Sequence, residues 1–275
     1  MDMRRVLAGI SGLAVAGALL MGGCASEASV PAGSQGTETK RMTFSSADLE
    51  TGFEEAQEID LAEETEIRAG GAYRLTGSTD RTVVVEAEDQ IVRLLLDQVT
   101  IHAQDGPGLE IRSAGKVIIT RLEGTENTIS DGPRYTDKSN ANAALFSQCD
   151  LTINGEGALT VEGYYKDAIH TKDVFRLHGG KLTVKAKRTG IRGNDGMLLA
   201  DGTVQIEAEG NGLQTVKVND HGKGQMNVEN IDGSIIAGAY GMNAAAGLYL
   251  SDNRITMQTV RGDYQADGGI EGQTG

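Results

Sequence analysis

A two-residue tag recurs through the middle of the chain at a fixed interval of 22 residues. It reads Ala168-Ile169, then Gly190-Ile191, then Gly212-Leu213. A period of about 20 to 25 residues with a small residue at a constant place is typical of a solenoid, in which each repeat forms one coil and buries its apolar side against its neighbours. We therefore look for function in the columns of side chains that stacked coils create.

Short alternating apolar pairs lie between the tags, for example Phe175 with Leu177 and Leu182 with Val184. Alternation at period two over a few residues, interrupted each time by glycine, predicts very short strands separated by turns. Similar segments before and after the tags bring the expected number of coils to about eight. The 38 glycines fit this prediction, because tight turns need residues that tolerate positive φ. The sequence thus predicts an all-β solenoid.

Charge and composition argue against a nucleic-acid partner. The formal net charge is -14, which repels phosphate, and the chain has no Trp and only four Phe to stack on bases. Zinc-type Cys/His spacing, EF-hand loops and Walker loops are also missing from the sequence. The sequence therefore argues against nucleic-acid binding, zinc binding, EF-hand calcium sites and Walker-type nucleotide binding.

The N-terminus has the layout of a secretory signal. Arg4 and Arg5 precede an apolar run that leads through Gly22 and Gly23 to Cys24. The stretch from Met21 to Cys24 resembles a bacterial lipoprotein box, in which cleavage leaves the cysteine as a lipid-bearing first residue. We expect an exported protein that is lipid-anchored at Cys24 to the outer face of the bacterial cell membrane. The predicted segments are a lipoprotein signal peptide (1–23), a flexible tether (24–42), the solenoid (43–260) and a Gly-rich tail (261–275).

Residues 22 apart should stack about one strand spacing from each other. Two such columns contain acidic side chains, namely Asp167, Thr189 and Asn211 in the first, and Asp173, Asp195 and Lys217 in the second. Carboxylates about 4.8 Å apart repel each other unless something neutralises them. Either Lys217 or a bound cation would serve.

Calcium is the cation that suits this turn, because it prefers six to eight oxygen ligands in relaxed geometry. The predicted ligands are Asp167, Asp173, Asn194 and Asp195. The alternative is that these are solvated turn residues, since Asp and Asn favour turns in any case.

Six segments match a known pattern, and they are Phe44–Glu50, Gly71–Gly77, Leu94–Ile101, Leu122–Gly132, Leu151–Val161 and Asp167–Asp173. Together they resemble a bacterial family of calcium-binding, carbohydrate-binding β-helix proteins. The resemblance covers about residues 44 to 245 and implies a right-handed parallel β-helix, bound calcium, and affinity for acidic plant polysaccharide such as polygalacturonate without known catalysis. Where that family repeats Asp-Gly-Ile from coil to coil, this chain keeps the Asp only at Asp167.

Binding an acidic polysaccharide requires a source of positive charge, because the chain as a whole is strongly negative. Bridging calcium is one source. A dense basic stretch is the other, and it consists of Lys185, Lys187, Arg188 and Arg192. The competing interpretation is that these four are exposed edge charges that discourage aggregation between sheets.

Two other functions stay open at this level. One is a pectate-lyase-like enzyme, in which calcium polarises the uronate and Arg192 acts as base. The other is a purely structural envelope or adhesion protein without a glycan site.

Overall fold

Twenty-three strands and one short helix form the part of the chain that the computed structural model describes, which is residues 41–53, 55–136, 140–218 and 222–272. The helix, α1, spans Ser46–Leu49. The strands are β1 (Gln57–Asp60), β2 (Glu66–Ile67), β3 (Gly71–Thr79), β4 (Val83–His102), β5 (Leu109–Arg121), β6 (Glu126–Ser130), β7 (Ala143–Ser147), β8 (Leu151–Asn154), β9 (Ala158–Gly163), β10 (Asp167–Thr171), β11 (Val174–His178), β12 (Lys181–Ala186), β13 (Ile191–Gly193), β14 (Gly196–Ala200), β15 (Thr203–Ala208), β16 (Leu213–Thr215), β17 (Gln225–Glu229), β18 (Asp232–Ala237), β19 (Tyr240–Ala244), β20 (Leu248–Ser251), β21 (Arg254–Thr259), β22 (Gly262–Ala266) and β23 (Ile270–Gly272).

The strands stack in parallel into three sheets, which we name A, B and C. Sheet A contains β1, β3, β4, β5, β8, β11, β14, β17, β20 and β23. Sheet B contains β3, β4, β6, β9, β12, β15, β18 and β21. Sheet C contains β2, β4, β5, β7, β10, β13, β16, β19 and β22. The predicted parallel β-helix of about eight coils is therefore confirmed, with eight to ten strands per sheet among the described residues.

Apolar columns fill the interior and run along the helix axis. Ile169 pairs with Ile191, which in turn pairs with Leu213, and none of the three has exposed surface. This is the register that the 22-residue tag predicts. Strands on sheet B alternate between buried and exposed side chains, so each coil buries one side only.

A fully buried arginine, Arg121, holds two successive turns at the corner between sheets A and B. Its Nε donates to the carbonyl of Asn154 at 3.0 Å, and its Nη2 donates to the carbonyls of Gly155 at 2.9 Å, His178 at 3.1 Å and Gly179 at 2.9 Å. Burial lowers the pKa of Arg121 to about 10, and the charge of Glu156 opposes that shift. The guanidinium thus replaces water for backbone groups that face the interior.

An N-terminal segment, residues 41–53, lies along the outer surface of sheet A, and we call it the strap. The guanidinium of Arg41 lies 3.7 Å from the ring centre of Tyr249 on β20. Phe44 packs edge-on against His178 on β11, with ring centres 5.2 Å apart. Near its other end the strap places Phe53 below the guanidinium of Arg93 on β4, at 4.8 Å. The strap therefore crosses most of the coils of sheet A.

Asp48, in helix α1, anchors the strap. One of its oxygens lies 2.5 Å from the ammonium of Lys116 and accepts a hydrogen bond from Thr152, and the other accepts from Ser45, which caps the helix. Burial alone would raise the pKa of Asp48, but hydrogen bonds from Lys116, Thr152 and Ser45 lower it to about 2. The carboxylate is thus ionised and paired at all ordinary pH values.

Both predicted ends of the solenoid differ from the structure. At the start, the guanidinium of Arg41 already packs on Tyr249 of the β-helix, so the predicted tether does not extend to residue 42. At the other end, β22 pairs with β19 and β23 pairs with β20, so residues 262–272 continue the coils and are not a tail. Tyr264 and Ile270 extend the apolar columns there, Gly262 and Gly272 lie in the strands, and Gly268 lies in the turn between them. The predicted signal peptide and Cys24 lie outside the described residues.

Within the described part of the chain, no helix has the length and apolar character needed to span a membrane.

Candidate functional site

Asp167, the first predicted calcium ligand, is already bound by an arginine. It lies at the start of β10 with no exposed surface. The Nε and Nη2 of Arg188 donate to its two oxygens, both at 2.6 Å, and the backbone N–H of Thr189 donates to Oδ1 at 3.0 Å. A two-pronged arginine pair of this kind is among the strongest charge-assisted contacts in proteins. Both carboxylate oxygens are therefore used inside the protein.

Asn194, another predicted ligand, lies in the turn between β13 and β14, and its side chain contacts residues on the outer surface of sheet C. Its Oδ1 lies 3.2 Å from the Nε of Arg192, which donates to it, and 3.2 Å from the Nε2 of His170. Burial, followed by the charge of Arg192, lowers the pKa of His170 to about 4, so the imidazole is neutral at pH 7. The amide thus belongs to a polar network on sheet C.

Asp173 and Asp195 stack on successive coils as predicted, with the N–H of Asp195 donating to the carbonyl of Asp173 at 3.2 Å. Two lysines neutralise Asp195: the ammonium of Lys217 lies 2.6 Å from Oδ1, and that of Lys223 lies 2.6 Å from Oδ2. Burial would raise the pKa of Asp195, but the two lysines lower it. The repulsion between Asp173 and Asp195 was expected to be relieved by Lys217 or by a bound cation, and in the structure Lys217 pairs with Asp195.

Asp173 has the opposite electrostatic setting. Burial raises its pKa, and the negative charges of Asp150 and Asp195 raise it further. Asp150 itself pairs with Arg176, whose Nη1 donates to it at 2.9 Å. The corner between sheets C and A therefore disfavours a negative charge on Asp173.

The four predicted calcium ligands do not form one site. Asp167 lies at the start of β10 on sheet C and is paired with Arg188, whereas Asp173, Asn194 and Asp195 lie in the turns at the corner towards sheet A. The amide oxygen of Asn194 is bonded to Arg192 and His170. Among the described residues, no group of three or more His, Cys, Asp or Glu side chains has the arrangement of a metal site. As a set, these residues do not fit a calcium ion, because protein cations and amides already satisfy most of their oxygens.

The predicted basic patch is divided as well. Three of its members form ion pairs, which are Lys185 with Glu162 at 3.7 Å, Lys187 with Glu209 at 2.7 Å, and Arg188 with Asp167 at 2.6 Å. Arg192 is half-buried on sheet C, away from the two lysines. Acidic side chains therefore neutralise most of the positive charge of this stretch. Of its four residues, only Lys185 and Lys187 lie on the same surface.

That surface is a groove at the corner between sheets B and C, with a volume of about 260 Å³. We call it the corner groove. Its larger side chains are Tyr164, Lys185, Lys187, Glu207, Glu209 and Ile236. Tyr164 is 44% exposed and Ile236 is 48% exposed, so both present apolar surface to the groove. The groove thus combines an apolar surface with charges of both signs.

Tyr164 is held firmly in the wall of the groove. Its hydroxyl donates to Oε2 of Glu162 at 2.6 Å, and its backbone N–H donates to Oδ1 of Asp131 at 2.6 Å. The hydroxyl of Tyr135 donates to the other oxygen of Asp131 at 2.7 Å. Burial raises the pKa of Asp131 to about 6, although these hydrogen bonds act to lower it. A buried carboxyl group therefore fixes the turn that presents Tyr164 to solvent.

Sequence reasoning missed Tyr164, Ile236 and Asp131. A signal existed in Tyr164-Tyr165-Lys166, because two adjacent tyrosines directly after a strand are conspicuous in a chain with seven Tyr and no Trp. A signal for Ile236 also existed in the strand alternation, because its neighbour Ile235 occupies the buried column and successive side chains of a strand point to opposite faces.

The family comparison bears on what this groove serves. A family model described as carbohydrate-binding domain-containing protein matches residues 62–274, which includes the whole of the corner groove. The chain belongs to this family. The predicted carbohydrate-binding β-helix is confirmed at that level.

Two similar proteins agree with the family. A carbohydrate-binding domain-containing protein of Acetivibrio thermocellus is 32% identical over 129 residues, which cover 45% of this chain and 45% of that protein. The alignment thus spans less than half of the relative's length. Among solved structures, a polysaccharide lyase-like protein from C. thermocellum superposes with a TM-score of 0.74 at 25% sequence identity, covering 76% of this chain and 87% of the other.

Proposed function

We propose that this domain binds polysaccharide in the corner groove between sheets B and C. The observation that carries the proposal is the exposed, firmly held ring of Tyr164 beside Lys185, Lys187 and Glu209. A pyranose ring has an apolar C–H face that packs on an aromatic ring, while its hydroxyls hydrogen-bond to charged groups. Ligand sites commonly pair apolar walls with a few fixed polar groups in this way.

Tyr164→Ala is expected to weaken polysaccharide binding about tenfold or more, because it removes the stacking ring and leaves the fold intact. The matched control is Tyr164→Phe, which keeps the ring, loses only the hydroxyl bond to Glu162, and should bind within about threefold of the native protein. Affinity electrophoresis against soluble polysaccharides measures both. Equal binding by Tyr164→Ala and the native protein would place the site elsewhere, and no binding by any form would favour the structural envelope protein.

We also propose a more specific form of this function, in which the domain binds an acidic polysaccharide with the help of calcium. The supporting observation is the setting of Asp173. Burial raises the pKa of this carboxyl group, and the charges of Asp150 and Asp195 raise it further, so a divalent cation there would relieve an electrostatic cost. A polyuronate would then be bridged by the ion, which suits a chain of net charge -14. Opposing it are Lys217 and Lys223, which already neutralise Asp195.

A calcium titration of the melting temperature tests this version. Calcium that binds the folded protein only should raise the melting temperature in proportion to the logarithm of its concentration, and Asp173→Asn combined with Asp195→Asn should abolish the rise. Asp252→Asn, an exposed carboxylate in a turn before β21, is the control and should keep it. If the native protein shows no calcium-dependent rise, the lysines have taken over the role of the ion.

Export and lipid anchoring at Cys24 are also proposed, on the basic start, the apolar run and the Gly22-Gly23-Cys24 sequence. Cys24→Ser should abolish lipid labelling and shift the protein out of the membrane fraction or leave its signal uncleaved. Unchanged fractionation and processing of this variant would contradict the anchor.

A polysaccharide lyase is the second candidate function. The observation that favours it is the setting of Arg192. Burial is the main cause that lowers the pKa of this guanidinium, and a general base requires a lowered pKa. Lyase activity on polygalacturonate creates an unsaturated uronate that absorbs near 235 nm. We expect no increase in that absorbance, with or without calcium, for a protein that only binds; an increase that Arg192→Ala removes would establish the enzyme.

A further inference from the structure

A column of small polar side chains runs along the outer surface of sheet B, and we call it the hydroxyl ladder. Its members, in order along the helix axis, are Ser78, Thr100, Thr128, Thr160, Thr183, Gln205, Ser234 and Thr256. Each is the direct register partner of the next. Seven of the eight positions are thus Ser or Thr, in a column where the fold requires only that a side chain point outwards.

The ladder is unpaired, unlike the other outer surfaces of the helix. Across the described residues, none of its eight side chains forms a hydrogen bond or ion pair with the protein. On sheet A, by contrast, the strap covers the outer surface and Asp48 accepts a hydrogen bond from Thr152. On sheet C, Arg192, Asn194 and His170 bond to one another. Within the described strands, sheet B thus presents a continuous row of free donors and acceptors.

The ladder lies directly beside the corner groove. Lys185, Glu207 and Ile236 line the groove, and each lies two residues after a ladder member on the same strand. Side chains two residues apart on a strand point to the same side, so groove and ladder form one continuous surface. The ladder extends beyond the groove at Thr100 and Thr128, on coils that precede Tyr164.

We propose that the hydroxyl ladder binds the extended part of a linear polysaccharide whose chain runs along the helix axis with one section in the corner groove. This inference depends on the proposed function. Coils repeat every 4.7 to 4.9 Å or so, and an extended chain of pyranose rings advances by a similar distance per residue. Each coil of the ladder except that of Gln205 therefore offers one hydroxyl per sugar, and each hydroxyl can both donate and accept. The shared chemistry is a regular row of sugar hydroxyls, whether the chain is neutral or acidic.

The test is the dependence of affinity on ligand length. Calorimetry uses cello-oligosaccharides, which are neutral, and oligogalacturonides, which are acidic, each of two to eight residues. It shows which of the two kinds of chain binds. For the type that binds, we expect the eight-residue ligand to bind at least tenfold more tightly than the three-residue one. Thr100→Val combined with Thr128→Val removes two ladder hydroxyls outside the groove while keeping the β-branched shape, so it should lose about tenfold for the long ligand and nothing for the short one.

Two controls separate the failure of the ladder from the failure of the groove. Thr203→Val removes a hydroxyl from the same sheet outside the ladder and should leave the affinity for every length unchanged. Tyr164→Ala should weaken short and long ligands alike. If the double valine variant binds the eight-residue ligand like the native protein, or if affinity does not increase beyond three residues, the ladder is not a binding surface even though the groove remains one. If the native protein binds no length of either type, the proposed function itself is wrong.

Discussion

Ile191→Asp is expected to unfold the β-helix at ordinary temperatures. Ile191 has no exposed surface and lies between Ile169 and Leu213 in the apolar column of sheet C. A carboxylate there would be surrounded by aliphatic carbon without a cation or hydrogen-bond donor. Burial of an unpaired polar or charged group costs several kcal/mol, which is comparable with the whole stability of a typical domain.

Circular dichroism and thermal melting measure the result, with Thr203→Asp as control. Thr203 lies on the outer surface of sheet B, so the same carboxylate should change its melting temperature by no more than a few degrees. A native-like melting temperature for Ile191→Asp would mean that the side chain does not face the interior.

The second large effect is expected for Arg121→Leu. This change leaves the carbonyls of Asn154, Gly155, His178 and Gly179 without the donor that satisfies them. Each unsatisfied buried acceptor costs about 1 to 3 kcal/mol, so we expect a loss of about 4 kcal/mol or more. Leucine also fails to fill the guanidinium volume against Gly180, at which a Cβ atom would lie only 3.1 Å from Cζ of Arg121.

Urea unfolding of three variants checks this prediction. Arg254→Leu, the control, removes an exposed ion pair with Asp232 and should leave the urea midpoint almost unchanged. Arg121→Lys should be intermediate, because an ammonium keeps the charge but cannot reach four carbonyls from one planar fork. Similar midpoints for Arg121→Leu and Arg254→Leu would show that water satisfies those carbonyls instead.

The sequence was most informative where a fixed period set the geometry. The 22-residue tag predicted the stacking of Ile169, Ile191 and Leu213, and it also placed Asp173 beside Asp195. Both follow from counting, because parallel coils of equal length put equivalent residues in register. Coil length therefore predicts neighbours along the axis without any knowledge of side-chain conformation.

Partners across a corner could not be predicted in the same way. Asp167 and Arg188 are 21 residues apart, one short of the period, and the bend of the corner brings the guanidinium onto the carboxylate. The predicted calcium set depended on free carboxylates, and the sequence does not indicate which cation reaches a carboxylate first. The exposure of Tyr164 likewise depends on how sharply the chain turns after β9. Corner geometry, not the strands, decides the chemistry of the site.

The glycine content of the C-terminus led to the wrong prediction for a different reason. Composition suggested a flexible tail after residue 260, but Gly262 and Gly272 lie in strands that pair with Tyr240 and Leu250 of the preceding coil. Glycine frequency therefore reports turns and close approaches in this fold, not the end of order.

The strap sets an order of events for folding. Asp48 bonds to Thr152, which follows it by 104 residues, and Arg41 packs on Tyr249 on β20. A chain that is synthesised from its N-terminus exposes the strap first, yet the surface on which it docks exists only after later coils have formed. Contacts of such long sequence separation form late, because the entropy of closing the loop must be overcome before they stabilise anything. The first residues of the domain are thus among the last to reach their native positions.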